Sequence, residues 1–390
     1  MQKTDRFSRD LNRLAAGQDL RAIPGIDYGA DLYLELNGQK LLNLASNNYL
    51  GLSGTETLKQ ASIRAVEKYG TSGSASRLIT GNYHIYNELE TTLARFKKQE
   101  KALVAGSGYA ANLCILGALA GRDTLVFSDR LNHASIIDAT VLSRSRQVRY
   151  RHTDMDHLGY LLTKHREHPA KILVTDSVFS MDGDRAPLEE IVGLCKKNKV
   201  LVVVDESHAT GILGQGRGLA HELGLEKEID VHMGTFSKAL GSYGGYIASS
   251  RTIIDLIINR GRAFIYSTAL PPAAVGASLA ALDEIISRPP GNSLINMAGN
   301  MKGFLDEAGF DTGQSSTQII PVILKDSPIV IKAQQKLVTM GLFAGAVRPP
   351  TVPAGSARLR LSLRADMSDQ DLNLTRQAFA SLAQNPLSDP

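Results

Sequence analysis

Seven short apolar runs alternate with helical stretches between residues 102 and 248, and this alternation constrains the fold more than any other feature of the chain. Most of the runs are rich in Val or Ile and about five residues long, which is typical of strands buried on both faces of a parallel sheet. The helical stretches between them supply the crossovers. The runs are 102–105, 124–127, 147–150, 171–175, 200–204, 231–235 and 245–248. We therefore predict an α/β fold with a large domain built on a mostly parallel, seven-stranded sheet.

The segments outside this sheet predict further helices and a smaller domain. Asn37-Gly38 lies between two alternating runs in 32–44, which is the strongest short signal for a hairpin. The other predicted elements are helices at 1–18, 55–69, 83–97 and from Pro271-Pro272 onward, strands at 319–324, 342–347 and 358–363, and a last helix after Asp369. We expect an N-terminal segment (1–50), a large domain (51–285) and a smaller α/β C-terminal domain (286–390).

Charge and cysteine content exclude several functional classes. The formal net charge of +4, from 43 basic and 39 acidic residues, is too small and too scattered to predict nucleic-acid binding. Cys114 and Cys195 have no CxxC partner and no His cluster at ligand spacing, so we expect no disulfide framework, no metal site and a reducing cytoplasm. The N-terminus has no signal-peptide core, and no run of about 18 apolar residues predicts a membrane helix.

Two consecutive strands end in residues that suit pyridine chemistry. The strand 201–205 ends in Asp205 and is followed by His208, and the next strand runs through Thr235 to Lys238. Taken singly, an Asp there often caps a loop, and a loop Lys is usually a solvated charge. Taken together they are more specific, because a pyridine nitrogen needs an acid to hold its proton and an aldehyde needs an amine.

A glycine loop at 105–112 follows another strand and opens a helix. Main-chain N–H groups and the helix dipole at such a position suit a phosphate. The same glycines satisfy the loose dinucleotide pattern GxGxxA, and Asp129 lies at roughly the distance expected of a ribose-binding acid. An NAD-dependent dehydrogenase therefore remains an alternative, although it does not explain the Asp205–His208 or Thr235–Lys238 pairs.

His133 also follows a strand directly, beside the other motifs. A lone His is more often a helix cap or a surface residue, and that alternative stays open for His133. Four further histidines fall in a polar, helix-rich stretch and are predicted to face solvent. They are His152, His157, His165 and His168.

Over nearly its whole length the sequence resembles the α-oxoamine synthases of the aspartate-aminotransferase-like, fold-type I pyridoxal-phosphate enzymes. The resemblance rests on the motifs SNNYLGL (46–52), GSGYAAN (106–112), NHAS (132–135), VFSMDGD (178–184), DESH (205–208) and TFSK (235–238). It implies pyridoxal 5′-phosphate held as a Schiff base on Lys238, and a homodimer with the active site at the subunit interface. Residues 348–360 and 265–272 look most like the biotin-pathway member, whereas 132–138 suits a glycine-using member equally well.

The resemblance also implies a role for each cofactor-binding residue. Lys238 would hold the cofactor and, once displaced, remove the Cα proton of the amino acid. Asp205 would pair with the ring nitrogen, His133 would stack on the ring, and His208 would hydrogen-bond the ring hydroxyl. The N–H groups of Gly108 and Tyr109, with Thr235, would hold the phosphate, and Ser180 would also contact the cofactor.

The implied substrate residues lie in other segments of the chain. Asn47 and Arg360 would bind the substrate carboxylate, because a guanidinium grips a carboxylate with two parallel bonds. Arg21 and Thr351 would line the acyl or carboxylate side, with assistance from Arg348. Since Arg358 and Arg360 alternate along a predicted strand, the alternative is that one of them faces solvent.

The implied reaction is the decarboxylative condensation of L-alanine with a pimeloyl thioester carried by CoA or by a carrier protein. Three alternatives are retained: a family member that uses glycine and acetyl-CoA, the dehydrogenase, and a non-catalytic binding subunit of this fold. The last would be expected to lack the lysine, and Lys238 is present.

Overall fold

The structure is a computed structural model that describes residues 4–16, 20–28 and 32–384. By internal contacts the chain divides into two compact units. The small unit comprises Met1–Ser46, Met181–Asp184 and Leu294–Pro390, and the large unit comprises Asn47–Ser180 and Arg185–Ser293. The domain limits expected at residues 50 and 285 stay a prediction.

The helices and strands follow one another as α1 (Asp5–Ala16), β1 (Ile26–Tyr28), β2 (Tyr33–Leu36), β3 (Gln39–Asn43), α2 (Glu56–Tyr69), α3 (His84–Phe96), β4 (Lys101–Ala105), α4 (Gly108–Leu119), β5 (Leu125–Asp129), α5 (Ala134–Leu142), β6 (Arg146–Tyr150), α6 (Met155–Lys164), β7 (Lys171–Asp176), α7 (Leu188–Asn198), β8 (Leu201–Asp205), α8 (Leu219–Glu222), β9 (Val231–Thr235), β10 (Gly245–Ser249), α9 (Arg251–Arg260), α10 (Arg262–Ile265), α11 (Pro272–Ser287), α12 (Ser293–Glu307), β11 (Ile319–Lys325), α13 (Ser327–Thr339), β12 (Leu342–Phe343), β13 (Gly345–Val347), β14 (Ala357–Ser362) and α14 (Asp369–Gln384).

The predicted seven-stranded sheet is confirmed and forms the centre of the large unit. Its strand order is β4-β10-β9-β8-β7-β5-β6. Only β10 runs antiparallel to its neighbours, β4 and β9, and the other pairs are parallel. Consequently the carboxyl ends of β4, β5, β7, β8 and β9 all lie at one edge of the sheet.

Helices cover the sheet, and the side chains of its strands that they bury are apolar. Val202, Val203 and Val204 of β8 are buried, and Val203 packs in one cluster with Ile115 of α4 and Ile254 of α9. Burying each such side chain contributes roughly 1.5–3 kcal/mol, which explains why these strands read as continuous apolar runs. This layer fixes the backbone from which the polar strand ends project.

The small unit contains two further sheets, with strand orders β1-β2-β3-β12 and β11-β14-β13. The predicted hairpin is confirmed: Asn37 and Gly38 adopt φ values of 53° and 73° between β2 and β3, as a tight hairpin turn requires. The predicted single strand 342–347 is wrong. It breaks at buried Ala344, so that β12 pairs with β3 while β13 pairs with β14.

The predicted helices are confirmed over most of their length. Those expected at 55–69 and 83–97 appear as α2 and α3, and the helix expected near Pro271-Pro272 begins at Pro272. The N-terminal helix is present as α1, while residues 1–3 and 17–18 of that prediction lie outside the described residues. Within the described ranges, no helix has both the length and the apolar character needed to cross a bilayer.

Candidate active site

Three buried acids lie at the carboxyl edge of the large sheet. Asp129, Asp176 and Asp205 are the last residues of β5, β7 and β8, and their exposed fractions are 1%, 4% and 4%. Thr235 ends β9 at the same edge, three residues before Lys238. This is where open α/β sheets bind ligands.

The carboxylate of Asp205 is held by two N–H donors. Asn112 on α4 donates from Nδ2 to Oδ2 at 2.9 Å, and the main-chain N–H of Ser207 donates to Oδ1 at 2.9 Å. The same Asn112 amide donates to Ser135 Oγ at 2.9 Å, and Ser135 Oγ lies 2.7 Å from His133 Nδ1. A single buried network therefore fixes the strand-end acid relative to His133.

His133 is both the cap of α5, as the alternative supposed, and a member of this network. The N–H of Ser135 donates to its Nδ1 at 3.2 Å, and its own N–H donates to Asp176 Oδ2 at 2.7 Å. Burial lowers the pKa of His133, the charge of Asp205 opposes that shift, and the charge of Lys238 adds to it. The structure thus places His133 within electrostatic range of both predicted cofactor residues.

His208 is buried and its orientation is set by a tyrosine. The hydroxyl of Tyr49 lies 2.7 Å from His208 Nδ1 and donates to Asn47 Oδ1 at 3.0 Å. Because a phenol has one proton, His208 must carry a hydrogen on Nδ1 when Tyr49 donates to Asn47. Tyr49 therefore connects His208, which is predicted to bind the ring hydroxyl, with Asn47, which is predicted to bind the substrate. The sequence predicted no role for Tyr49.

The glycine loop forms a close-fitting cradle at the start of α4. Ser107 caps the helix by accepting from Ala110 N, and the N–H groups of Gly108 and Tyr109 belong to the first turn, which has no intrahelical acceptors. A Cβ added to Gly108 would lie 3.4 Å from Thr235 Cβ, and one added to Gly245 would lie 2.7 Å from Gly108 N. At Gly245 only main chain fits, and the first turn of α4 presents its N–H donors to an anion.

Thr235 completes this cradle. Its hydroxyl donates to the carbonyl of Gly244 at 2.6 Å and lies 2.8 Å from the hydroxyl of Ser237. The side chain of Lys238 is partly buried beside it. N–H donors, hydroxyls, an amine and a fixed carboxylate at one sheet edge are the groups that a phosphate, an aldehyde and a pyridine nitrogen require. The residues present therefore fit pyridoxal phosphate.

The dehydrogenase alternative is wrong on topology. A ribose-binding acid must end the strand beside the glycine-loop strand, whereas β4 and β5 are separated in the sheet by β10, β9, β8 and β7. Asp129 instead accepts hydrogen bonds from Leu131 N and Thr153 N, and from His152 at 2.9 Å if Nδ1 carries the proton. Both carboxylate oxygens of Asp129 therefore bind groups of the protein itself.

The prediction that four histidines face solvent is also wrong. His152 lies against the Phe179 ring, with 4.5 Å between the ring centroids, and its side chain is only 19% exposed because it packs beside Asp129. His157, His165 and His168 are half-buried as well. The polar composition of this stretch concealed the local turn that encloses these rings.

The remaining predicted residues, apart from Ser180, belong to the small unit. Arg21 donates to the hydroxyl of Thr351 at 3.2 Å, and Thr351 N donates to the carbonyl of Arg348. Three predicted substrate residues, Arg21, Thr351 and Arg348, are thereby found together. Ser180, in the large unit, is partly buried.

Neither arginine of β14 faces solvent, which corrects the alternative that one of them would. Arg358 and Arg360 are 4% and 7% exposed. Arg358 donates to Asp182 Oδ1 at 2.5 Å and to the carbonyl of Met181, so it secures the VFSMDGD segment. Arg360 donates to Ser362 Oγ at 2.8 Å. The two residues thus differ in their partners and not in their exposure.

Sequence reasoning assigned no role to Asn112, Ser135, Asp176 or Tyr49. Asp176 carries the same signal as Asp205, namely a carboxylate that ends a buried parallel strand. Asn112, Ser135 and Tyr49 lie inside quoted motifs. Their importance depends on hydrogen bonds between distant segments, which no local pattern predicts.

The chain is similar to known proteins over nearly its whole length. A family model described as aminotransferase class I and II matches residues 39–379. An 8-amino-7-oxononanoate synthase from Geotalea daltonii is 45% identical over 379 residues, covering 96% of each chain, and one from Geobacter sulfurreducens is 46% identical over 370 residues, covering 94% of each. A solved serine palmitoyltransferase from S. paucimobilis, with a bound PLP–myriocin aldimine, has a TM-score of 0.92 at 30% identity and covers 99% of this chain and 98% of its own.

Proposed function

Because the chain belongs to the aminotransferase class I and II family and, within it, to the α-oxoamine synthases, we propose that it joins L-alanine to a pimeloyl thioester. The products are 8-amino-7-oxononanoate, CO₂ and the free thiol carrier, which makes the enzyme a C-acyltransferase of biotin synthesis. The single observation that carries the choice of substrates is the 45–46% identity, over 94% of the chain or more, to relatives named for this product.

The cofactor is pyridoxal phosphate. When bound, it supplies an electron sink that stabilises negative charge at Cα of an amino acid. Lys238 would hold its aldehyde and, once displaced, would act as the base that takes the Cα proton of alanine. Asp205, fixed by Asn112 and Ser207, balances the positive charge of the ring nitrogen. His133 would stack on the ring.

The phosphate is held by main-chain donors and hydroxyls. We assign the N–H groups of Gly108 and Tyr109, with Thr235, to this task, and the Thr235 hydroxyl would turn from the carbonyl of Gly244 to donate to the phosphate. Ser180 would also contact the cofactor. His208, oriented by Tyr49, binds the ring hydroxyl. Lys238 is then the group that would move a proton at the reacting carbon.

Two sets of residues are assigned to the two substrates, one to the carboxylate of alanine and one to the acyl chain. Asn47 and Arg360 bind the carboxylate of alanine until it leaves as CO₂. Arg21, Thr351 and Arg348 serve the acyl end, where the 3.2 Å bond from Arg21 to Thr351 groups them. The bond formed joins Cα of alanine to the thioester carbonyl carbon, and the bond broken releases the thiol.

We also propose that the enzyme is a cytoplasmic homodimer. Two buried free thiols, Cys114 and Cys195, support a reducing compartment. Exposed apolar side chains on adjacent loops support a second subunit: Ile79 is 76% exposed and Tyr266 is 72% exposed, and Ala75 O accepts from Ala269 N between their loops. Sedimentation of the holoenzyme should give twice the mass of one chain.

The substrate assignment is tested by crossing two amino acids with two thioesters. Purified holoenzyme is assayed for thiol release and for the ketone product by mass spectrometry, with alanine or glycine and with pimeloyl or acetyl thioesters. We expect alanine with the pimeloyl thioester to give the highest kcat/KM, by roughly ten-fold or more, since one methyl group discriminates by about that factor. Preference for glycine with acetyl-CoA would contradict the proposal, and would identify the glycine-using alternative.

A further inference from the structure

Asp176, the last residue of β7, lies beside a second buried acid on the neighbouring strand β8. β7 lies between β5 and β8, and Asp176 is the Cα partner of Asp205 in the parallel register. Neighbouring strands are about 4.8 Å apart, and paired residues of parallel strands project to the same face. Two ionised carboxylates placed in this way would repel one another strongly. Asp129 is level with Thr175, because Ser128 pairs with Val174, and it therefore projects to the face opposite Asp176.

The three acids differ in the donors that face them. Asp129 accepts from two main-chain N–H groups and lies 2.9 Å from His152 Nδ1. Asp205 accepts from Asn112 and from the N–H of Ser207. For Asp176 the bond that its side chain makes is with the N–H of His133, at 2.7 Å. Asp129 and Asp205 each accept hydrogen bonds from at least two donors, which stabilise a negative charge, whereas Asp176 accepts one.

The surroundings of Asp176 act in the same direction. Burial and the charge of Asp205 raise its pKa well above its usual range, while the His133 N–H and the charge of Lys238 only partly oppose this shift. The titratable groups that surround it are Asp129 on β5, Asp205 on β8, Tyr150 on β6, His133 at the start of α5 and Lys238 after β9.

We propose that Asp176 works as a neutral, protonated positioning residue: it holds the main chain of His133 and leaves Asp205 with the negative charge that meets the cofactor ring. A second anion beside Asp205 would repel its charge, and loss of the Asp176 side chain would remove the acceptor of the His133 N–H. This inference rests on the cofactor and not on the choice of acyl donor.

The test uses cofactor binding to the full-length apoprotein, followed by absorbance. Asp176→Asn imitates the protonated acid and keeps an acceptor for His133, so its pyridoxal-phosphate Kd should stay within about three-fold of that of the unsubstituted protein. Asp176→Ala removes the acceptor and should raise the Kd by about ten-fold. If both substitutions weaken binding equally, Asp176 acts as an anion and the proposal is wrong. If neither weakens it, Asp176 has no positioning role.

An infrared measurement supports the test without relying on Asp176→Ala folding. At neutral pH the unsubstituted protein should show the carbonyl stretch of a protonated carboxylic acid, and Asp176→Asn should lose that band. Asp129→Asn is the matched control at the other side of β7 and should keep the band, because the proton lies on Asp176. A neutral-pH spectrum without this band would overturn the proposal. Neither readout depends on which product the enzyme makes, so it is separable from the substrate test.

Discussion

Replacing Lys97 by Met should destabilise the large unit, because the buried carboxylate of Glu206 loses its paired cation. Lys97 and Glu206 are fully buried, and Lys97 Nζ is paired with Glu206 Oε2 and with the carbonyl of Arg217. Glu206 follows Asp205 and projects to the opposite side of the strand end. Burial alone would raise the pKa of Glu206, but Lys97 and then His232 hold it well below its usual range.

Removing Lys97 leaves that carboxylate without its cation, which typically costs about 3–5 kcal/mol. With an unfolding entropy of about 2.1 cal/mol/K per residue, the 390 residues give roughly 0.8 kcal/mol/K, so the Tm should fall by about 4–6 °C. Differential scanning calorimetry of the holoenzyme at pH 8 measures this change. Lys97→Met/Glu206→Gln should recover at least half of it, because the neutral amide keeps an acceptor for the N–H of Ala220.

The sign of the pH dependence follows from the depressed pKa of Glu206. Its paired charge stabilises the fold above the ordinary pKa of a glutamate and loses that effect as the pH falls through the lower folded value. In Lys97→Met the unpaired acid takes up a proton more readily, so the Tm deficit should shrink as the pH falls from 8 to about 5. Lys98→Met is the control: its partner is Glu226, its side chain is 49% exposed, and it should change Tm by about 1 °C. Equal losses for Lys97→Met and Lys98→Met would refute the reasoning.

Three further substitutions test the cofactor site. Gly245→Ala places a methyl group against the main chain of the glycine loop and should raise the cofactor Kd by about ten-fold or more in an absorbance titration, whereas Gly193→Ala, with open space at its Cβ in α7, should bind normally and gain about 0.5–1 kcal/mol of stability. Lys238→Ala should lose the borohydride-sensitive visible band and the turnover together, while still binding pyridoxal phosphate reversibly; retained turnover would exclude Lys238 as the base. Tyr49→Phe removes the 2.7 Å contact with His208 and should weaken cofactor binding by about five- to ten-fold, and an unchanged Kd would show that His208 needs no such support.

The sheet was predictable from sequence because its strands are buried on both faces. β8 reads Leu-Val-Val-Val-Asp, and such a run between helical stretches has few other solutions. The strand ends were predictable for the same reason, since the position of Asp205 along the chain determines its place at the carboxyl edge. The break at Ala344 was not predictable, because a strand that changes sheets keeps the same apolar pattern on both sides of the change.

Within the site, the residues that act on the cofactor carried local signals and the residues that support them did not. Lys238 and Asp205 follow recognisable strands. Asn112 is important because its amide joins Asp205 to Ser135, and these three residues come from separate elements. Such contacts are set by the strand order, which the sequence pattern leaves open. For that reason the exposure of His152 was predicted wrongly, since its neighbour Asp129 lies on a different element.

The position of β4 at the edge of the sheet bears on how the chain is made. The glycine loop follows β4, and in the described sheet β4 pairs with β10, which lies about 140 residues further along the chain. During synthesis from the N-terminus, β4 therefore waits as an unpaired apolar strand until the ribosome has passed residue 249. Nascent chains interrupted before β10 should expose this strand to aggregation or to a chaperone. They should also lack part of the proposed phosphate site, since Gly245 packs against the main chain of Ser107 and Gly108.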